Sequence, residues 1–385
     1  MKKIGVYIHI PFCKQKCYYC DFISYVNKEK YFDKYVQALT KEMRSFLYNN
    51  DVKIQTIYIG GGTPSFIDAK YIERIMMVLQ EQNQMKNAEE ITIEINPGTI
   101  NKEKLETYKK VGINRLSIGL QSTDNNILKQ IGRIHCYEDF LNTYELARKV
   151  GFSNINVDLM IGIPNQKISD IKNSLEEIIK LKPEHISVYS LIVEENAPIE
   201  KMINEGKMEL LDEETERNMY WYVKNFLELN GYKHYEISNF AKEGYESKHN
   251  LDCWNQNEYI GFGVAAHSYI DDVRFGNTAS IEEYLNNYEN GEPEKNKIID
   301  EVGKDIFSKE QEFMLIGLRK IEGVSIQEFK NKFGDNPIFV FKNELNKLVD
   351  EELLTVDCDR IKLTNRGLDL ANLVWEEFVW FWKLK

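Results

Sequence analysis

Apolar residues in the first part of the chain fall into short β-rich runs, each followed by a stretch with helical spacing. Ile4–Ile10, Thr56–Ile59, Ile91–Ile95, Arg115–Gly119, Ile155–Ile161 and His185–Leu191 read as strands. Between the first two, Tyr31, Tyr35, Leu39 and Met43 recur every fourth residue, with Phe32, Val36, Phe46 and Leu47 beside them. That spacing predicts an amphipathic helix, with Asn27 as its N-cap. Six strand–helix units in a row imply parallel strands joined by right-handed crossovers. A doubly wound sheet and a barrel both satisfy this. The unusual residues fall at or just after the C-terminal ends of several successive strands, where a β/α barrel builds its site, so the expectation is an α/β chain with a partial (β/α)6 TIM-like barrel over residues 1–235.

Beyond residue 235 the rhythm breaks. Residues 236–303 are rich in Asn, Gly and aromatics and read as an extension of the barrel. Residues 304–385 read as three helices, a hairpin pairing Leu353–Val356 with Arg360–Leu363, and a last helix from Thr364. This pattern predicts a mostly helical, winged-helix-like domain. Trp375, Phe378, Trp380, Phe381 and Trp382 crowd its end, suited either to packing or to a membrane-bound partner.

Length and composition narrow the function. A chain of 385 residues with 43% hydrophobic content is large enough for a barrel plus an appendage. A net charge of −12 argues against a nucleic-acid partner, which needs a basic surface. No apolar run reaches about 18 residues, and the start lacks the apolar region and cleavage site of a signal peptide, so a cytoplasmic protein is expected, at most peripheral to a membrane.

Three of the six cysteines lie within eight residues, as Cys13-Lys-Gln-Lys-Cys17-Tyr-Tyr-Cys20. A zinc site normally takes four protein ligands, and no fourth follows at zinc-finger spacing. A disulfide would leave an odd thiol in a reducing compartment. An ordinary iron–sulfur carrier uses four cysteines; three leave one iron of a 4Fe–4S cluster open, which suits catalysis or ligand binding.

A Cys-x-x-x-Cys-x-x-Cys motif after a first strand resembles the signature of the radical S-adenosylmethionine (SAM) superfamily. The wider string Tyr7-Ile-His-Ile-Pro-Phe-Cys13, with Gly60-Gly-Gly-Thr-Pro64, Glu94-Ile-Asn-Pro-Gly98, Gly119-Leu-Gln-Ser122 and His249-Asn-Leu-Asp-Cys-Trp254, resembles one branch of it. That branch contains the oxygen-independent coproporphyrinogen III dehydrogenases (HemN) and the haem chaperones (HemW). The resemblance implies a 4Fe–4S cluster on Cys13, Cys17 and Cys20, with SAM bound to the open iron through its amino and carboxylate groups. One-electron reduction would yield methionine and a 5′-deoxyadenosyl radical.

The other motifs would serve that chemistry as follows. Backbone groups of Gly61, Gly62 and Thr63 could hold the methionine end of SAM; otherwise the run is a tight strand-to-helix turn. Glu94 could accept the ribose hydroxyls; otherwise it is a strand-end charge facing solvent. The resemblance implies SAM contacts at Glu94, Gln121, Arg133 and Asp158, and places Tyr7 and Tyr19 beside the cluster and the adenine. In this branch the His of the His-Asn-x-x-Tyr-Trp motif is implicated in haem binding, which marks His249, although a lone His is more often a hydrogen-bonded packing residue. Cys253 stands where the family has Tyr and adds a second soft ligand; His267 is the next candidate.

Two features separate the relatives. The dehydrogenases carry an extension ahead of the cysteine motif and a further Cys two residues after the third; here Cys13 is near the start and the second position is Phe22. The expected function is therefore haem binding and transfer to apo-haemoproteins, including membrane-bound respiratory enzymes. The alternative is oxidative decarboxylation of coproporphyrinogen III. A tRNA-modifying enzyme is disfavoured by the acidic charge.

Overall fold

The computed structural model describes residues 2–81, 85–195, 197–299 and 305–379. The chain runs β1 (Lys2–Ile10), α1 (Phe32–Asn49), β2 (Val52–Gly61), α2 (Ala69–Gln80), β3 (Glu90–Ile95), α3 (Lys102–Lys110), β4 (Arg115–Gln121), α4 (Asn125–Gln130), α5 (Tyr137–Val150), β5 (Ile155–Ile161), α6 (Ile168–Leu181) and β6 (His185–Ser190). The strands β1 to β6 pair in sequence order, all parallel. The arc stays open. On one side β6 pairs antiparallel with a short hairpin, and on the other β1 takes a further strand, giving a single sheet of 12 strands.

Each barrel strand alternates. On β1, Ile4, Val6, Ile8 and Ile10 join the large apolar core with Tyr35, Leu39 and Met43 of α1. The opposite face of the six strands is polar: Thr56, Glu90, Thr92, Arg115, Ser117, Asn156, His185 and Ser187 are all buried. Period-two alternation puts these on the inner wall. Buried polar groups must be hydrogen-bonded to one another, and many are. Asn156 donates to Ser117 Oγ (2.8 Å) and Asp158 Oδ1 (2.7 Å), and His185 bonds Asn156 (2.6 Å) and Tyr235 OH (2.8 Å).

Beyond the barrel come α7 (Pro198–Asn204), α8 (Glu213–Leu229), β7 (Lys233–Glu236), β8 (Asn239–Ala241), α9 (Lys248–Trp254), β9 (Tyr259–Phe262), β10 (His267–Ile270), β11 (Val273–Asn277), α10 (Ile281–Glu289) and β12 (Lys297–Ile299). The last unit contains α11 (Ile306–Gly317), β13 (Val324–Ser325), α12 (Ile326–Phe333), α13 (Pro337–Val340), α14 (Lys342–Asp350), β14 (Leu354–Val356), β15 (Arg360–Leu363), α15 (Asn365–Asp369) and α16 (Ala371–Glu377). The expected hairpin is β14 with β15, and β13 adds a third strand that the sequence reading did not anticipate. A separate core of Phe313, Met314, Phe329, Phe341 and Phe378 holds this unit. Its expected boundary at residues 303–304, and Trp380, Phe381 and Trp382, lie outside the described residues. No described helix is long and apolar enough to cross a membrane.

Two local expectations are corrected. Asn27 does not cap α1: the helix begins at Phe32 after a 3-10 turn, and Asn27 sits at φ +57°, a left-handed conformation that asparagine tolerates better than most residues. The glycine run is not a turn throughout, because Gly60 and Gly61 pair with His9 and Ile10 and extend β2 to its end.

Candidate active site

A cavity of about 380 Å³ opens at the C-terminal ends of the barrel strands. It brings together Cys13, Cys17, Tyr19, Cys20, Gly61, Gly62, Thr63, Glu94, Gln121, Arg133 and Asp158, all singled out from the sequence. Tyr7 and His249 do not line it.

The cysteine loop is pinned at both ends. Beyond β1, the Cys13 N–H donates to Tyr25 O (2.9 Å) and the Tyr25 N–H to Pro11 O (2.7 Å), while the Tyr18 N–H reaches Ile131 O (3.0 Å). His9 secures the far side. Its Nε2 lies 2.9 Å from the Ile23 carbonyl, which can only accept, so Nε2 carries the proton and Nδ1 accepts from Tyr7 OH at 2.9 Å. Burial pushes the His9 imidazole down to about 4, so it stays neutral.

Each glycine of the run that ends β2 is sterically required. A Cβ on Gly60 would lie 2.9 Å from the Tyr58 ring and 3.0 Å from Glu94 Oε1. One on Gly61, at φ +115°, would lie 2.7 Å from the His9 ring. One on Gly62 would lie 2.9 Å from the Phe12 backbone and 3.1 Å from Cys13 Sγ. The run therefore lets the strand end, the cysteine loop and Glu94 close on one another.

Glu94 accepts from Tyr58 OH (3.0 Å) and from the Gly61 N–H (3.1 Å). Burial pushes its carboxyl up to about 7; the neighbouring Asp158 adds to the rise, and the two donors oppose it. Asp158 is raised as well, again by burial first. Arg133 donates to Asn96 Oδ1 and Gly119 O and approaches Cys17 Sγ (3.6 Å) and Tyr19 OH (3.5 Å). Gly119 leaves the space for it, since a Cβ there would lie 3.1 Å from the guanidinium.

This donor set fits a cluster and a charged, hydroxyl-bearing ligand. Among the described residues no three His, Cys, Asp or Glu side chains converge on a single ion position; a 4Fe–4S cube does not require it, because each thiolate takes a different iron. Buried Gln121, at φ +75°, has an Oε1 with no hydrogen-bond partner among the described residues, as does Arg133 Nε. Unpaired groups at the wall of a cavity are what an absent polar ligand would satisfy. Burial raises the Cys13 thiol and pushes Cys20 up to about 11, so binding iron there releases protons.

The haem candidates lie elsewhere. His249 is buried under the barrel, with Nδ1 3.0 Å from Thr56 Oγ1 and its ring stacked on Tyr58, and it does not line the cavity. The physical reason is its helix, α9, whose start is held by the Glu90 carboxylate at the opposite end of β3 from Glu94. Burial pushes the Cys253 thiol up to about 12, and His267 is exposed on β10. The sequence reading missed Tyr58 and His9; Tyr58 was findable, because it shares one strand face with Gly60.

Comparisons with known proteins agree with this layout. Residues 7–178 match the model of the radical SAM superfamily, and residues 311–370 that of the HemN C-terminal domain. The chain is 36% identical to the haem chaperone HemW of Lactococcus lactis, over 98% of both chains. It is 37% identical to the haem chaperone HemW of Bacillus subtilis, over 97% of this chain and 99% of that one. Among solved structures, the coproporphyrinogen III oxidase HemN of Escherichia coli superposes with a TM-score of 0.84 at 23% identity, over 99% of this chain and 91% of that one, a likeness of fold.

Proposed function

The chain belongs to the HemW family of radical SAM proteins, and from that premise we propose that it is a haem chaperone that binds haem and transfers it to apo-haemoproteins, using a 4Fe–4S cluster and SAM. The observation that carries this reading is the similarity to HemW relatives over nearly the whole chain. The cavity supports it. Cys13, Cys17 and Cys20 would each hold one iron. Backbone groups of Gly61, Gly62 and Thr63 would meet the methionine end of SAM. Glu94 would accept the ribose hydroxyls, and Gln121, Arg133 and Asp158 would complete the polar wall, with Tyr19 beside the cluster. When bound, cluster and SAM supply one-electron chemistry. Tyr7, stacked on Tyr58 and bonded through its hydroxyl to His9, would stand beside the cluster and the adenine.

The rim of the cavity carries apolar side chains in the open. Phe22 is 64% exposed and Ile192 67% exposed, and both border the opening. Such a rim suits a flat, largely apolar ligand such as haem. Phe22 also replaces the extra cysteine of the dehydrogenases.

The test is to reconstitute the protein anaerobically and incubate it separately with haem and with coproporphyrinogen III. The proposal predicts haem retention through gel filtration and no decarboxylated porphyrinogen. Conversion of coproporphyrinogen III would overturn it.

A further inference from the structure

The His249 motif lies under the barrel floor, yet its imidazole is one contact, Tyr58, from the cavity. Alternation along β2 points Thr56, Tyr58 and Gly60 to the same inner face. His249 bonds the first through Nδ1 (3.0 Å) and stacks on the second, with ring centroids 5.4 Å apart and planes at 28°. Tyr58 then donates its hydroxyl to Glu94 Oε1 at 3.0 Å. Tyr7 stacks on the same side of the structure at 6.3 Å and 25°.

The position of the imidazole is over-determined. The Glu90 carboxylate accepts from the backbone N–H of Lys248 (3.0 Å) and of His249 (3.1 Å), an anion at the start of α9. Ser247 adds a bond to the same carboxylate (3.4 Å). Gly5 leaves room, because a Cβ there would lie 3.2 Å from Thr56 Oγ1 and 3.4 Å from His249 Cε1. Such a site fixes the ring.

We propose that His249 is a positioning residue for the SAM site: its ring holds Tyr58 at the angle from which the hydroxyl orients Glu94. The proposal rests on the reading that Glu94 accepts the SAM ribose. Without the imidazole, Tyr58 gains space to tilt towards the floor, and Glu94 keeps only the Gly61 amide as a directed donor. The motif then acts on SAM through Tyr58, a side chain of the cavity wall.

The experiment measures SAM affinity by calorimetry on reconstituted protein, with iron content and cluster absorption as the check that each variant is loaded. Glu94→Gln tests the underlying reading and should weaken binding at least about tenfold. Tyr58→Phe and His249→Ala should each weaken it about three- to tenfold, the loss of one of the two hydrogen bonds that orient Glu94. His249→Phe, which keeps a flat ring on Tyr58, should stay within about twofold of the parent by the same scale. The decisive readout is the double variant: His249→Ala should add nothing in the Tyr58→Phe background, because both act through the same bond. Should His249→Ala fail to hold its cluster, His249→Leu takes its place, filling the space without a flat face.

Weakening by Glu94→Gln with no effect of His249→Ala would overturn the proposal and leave the SAM reading standing. Equal effects of His249→Ala in both backgrounds would overturn it too. No effect of Glu94→Gln would overturn the SAM reading and the proposal with it. Loss of the haem absorption signature in both His249→Ala and His249→Phe, with SAM affinity unchanged, would instead make His249 a haem ligand.

Discussion

The Glu94 carboxylate meets the cavity with one oxygen on the Tyr58 hydroxyl and the other on the Gly61 amide, and burial holds its pKa near 7. On the proposed function ribose hydroxyls would donate to the ionised form, so SAM binding would favour deprotonated Glu94 and should weaken as pH falls through 7. For a single proton the loss is about tenfold between pH 8 and pH 6. Calorimetry across that range should show this slope in the parent and a flat profile in Glu94→Gln. A second residue-scale expectation concerns Gly62. Gly62→Ala puts a methyl 2.9 Å from the Phe12 backbone and 3.1 Å from Cys13 Sγ, neither of which is the free end of a flexible chain. Iron retained after reconstitution and desalting should fall well below that of the parent, as it should for alanine at Cys13, Cys17 or Cys20. Most of the cavity was legible at this scale because cysteine spacing, glycine runs and strand-end carboxylates are written contiguously. Tyr58 and His249 were harder: one looks like an ordinary strand tyrosine, and the other lies 191 residues away in sequence, so only the fold shows that they stack.

At the scale of elements, the alternation of strands and helices carried the barrel, since long parallel units with apolar outer faces leave a strong pattern. The extension did not, because β8, β9, β10 and β12 have three or four residues each and little room for periodicity. What secures the extension is long-range polar bonding to α1. Glu42, buried on that helix, accepts from the Gly263 N–H (2.9 Å), Asn277 Nδ2 (2.7 Å) and Tyr284 OH (2.6 Å). Tyr35 adds a bond to His9 O (2.7 Å) and accepts from the Val264 N–H (3.1 Å). Glu42→Ala orphans three buried donors at about 1–3 kcal/mol each. Hydrogen exchange should report lost protection in residues 259–289 before the barrel opens, and chemical denaturation should show a lower midpoint. An unchanged midpoint would mean that the apolar packing of α1 alone holds the extension.

At the scale of the molecule, the C-terminal unit meets the barrel through a stacked cation. The Arg319 guanidinium lies 4.5 Å from the Trp254 ring, at the end of α9, and 5.1 Å from the Trp375 ring of α16. The Trp of the His249 motif thus clamps the last unit while its His faces the barrel floor. Trp221 Nε1 donates to Asp369 (2.7 Å), a second tie. Arg319→Ala should loosen the C-terminal unit, seen as faster hydrogen exchange in residues 311–370 with unchanged exchange in β1 to β6. The aromatic tail, read from sequence as packing or partner surface, divides accordingly: Phe378 enters the core and Trp375 enters the clamp. In the proposed function the molecule carries haem in order to give it away. The most direct test loads the reconstituted protein with haem, removes free haem by gel filtration, and mixes it with an apo-b-type cytochrome while the Soret spectrum of each separated partner is recorded. Haem should move to the cytochrome from the cluster-bearing protein, and faster than from the Cys13→Ala variant; haem that stays on the protein, or leaves both forms at the same rate, would contradict the proposed function.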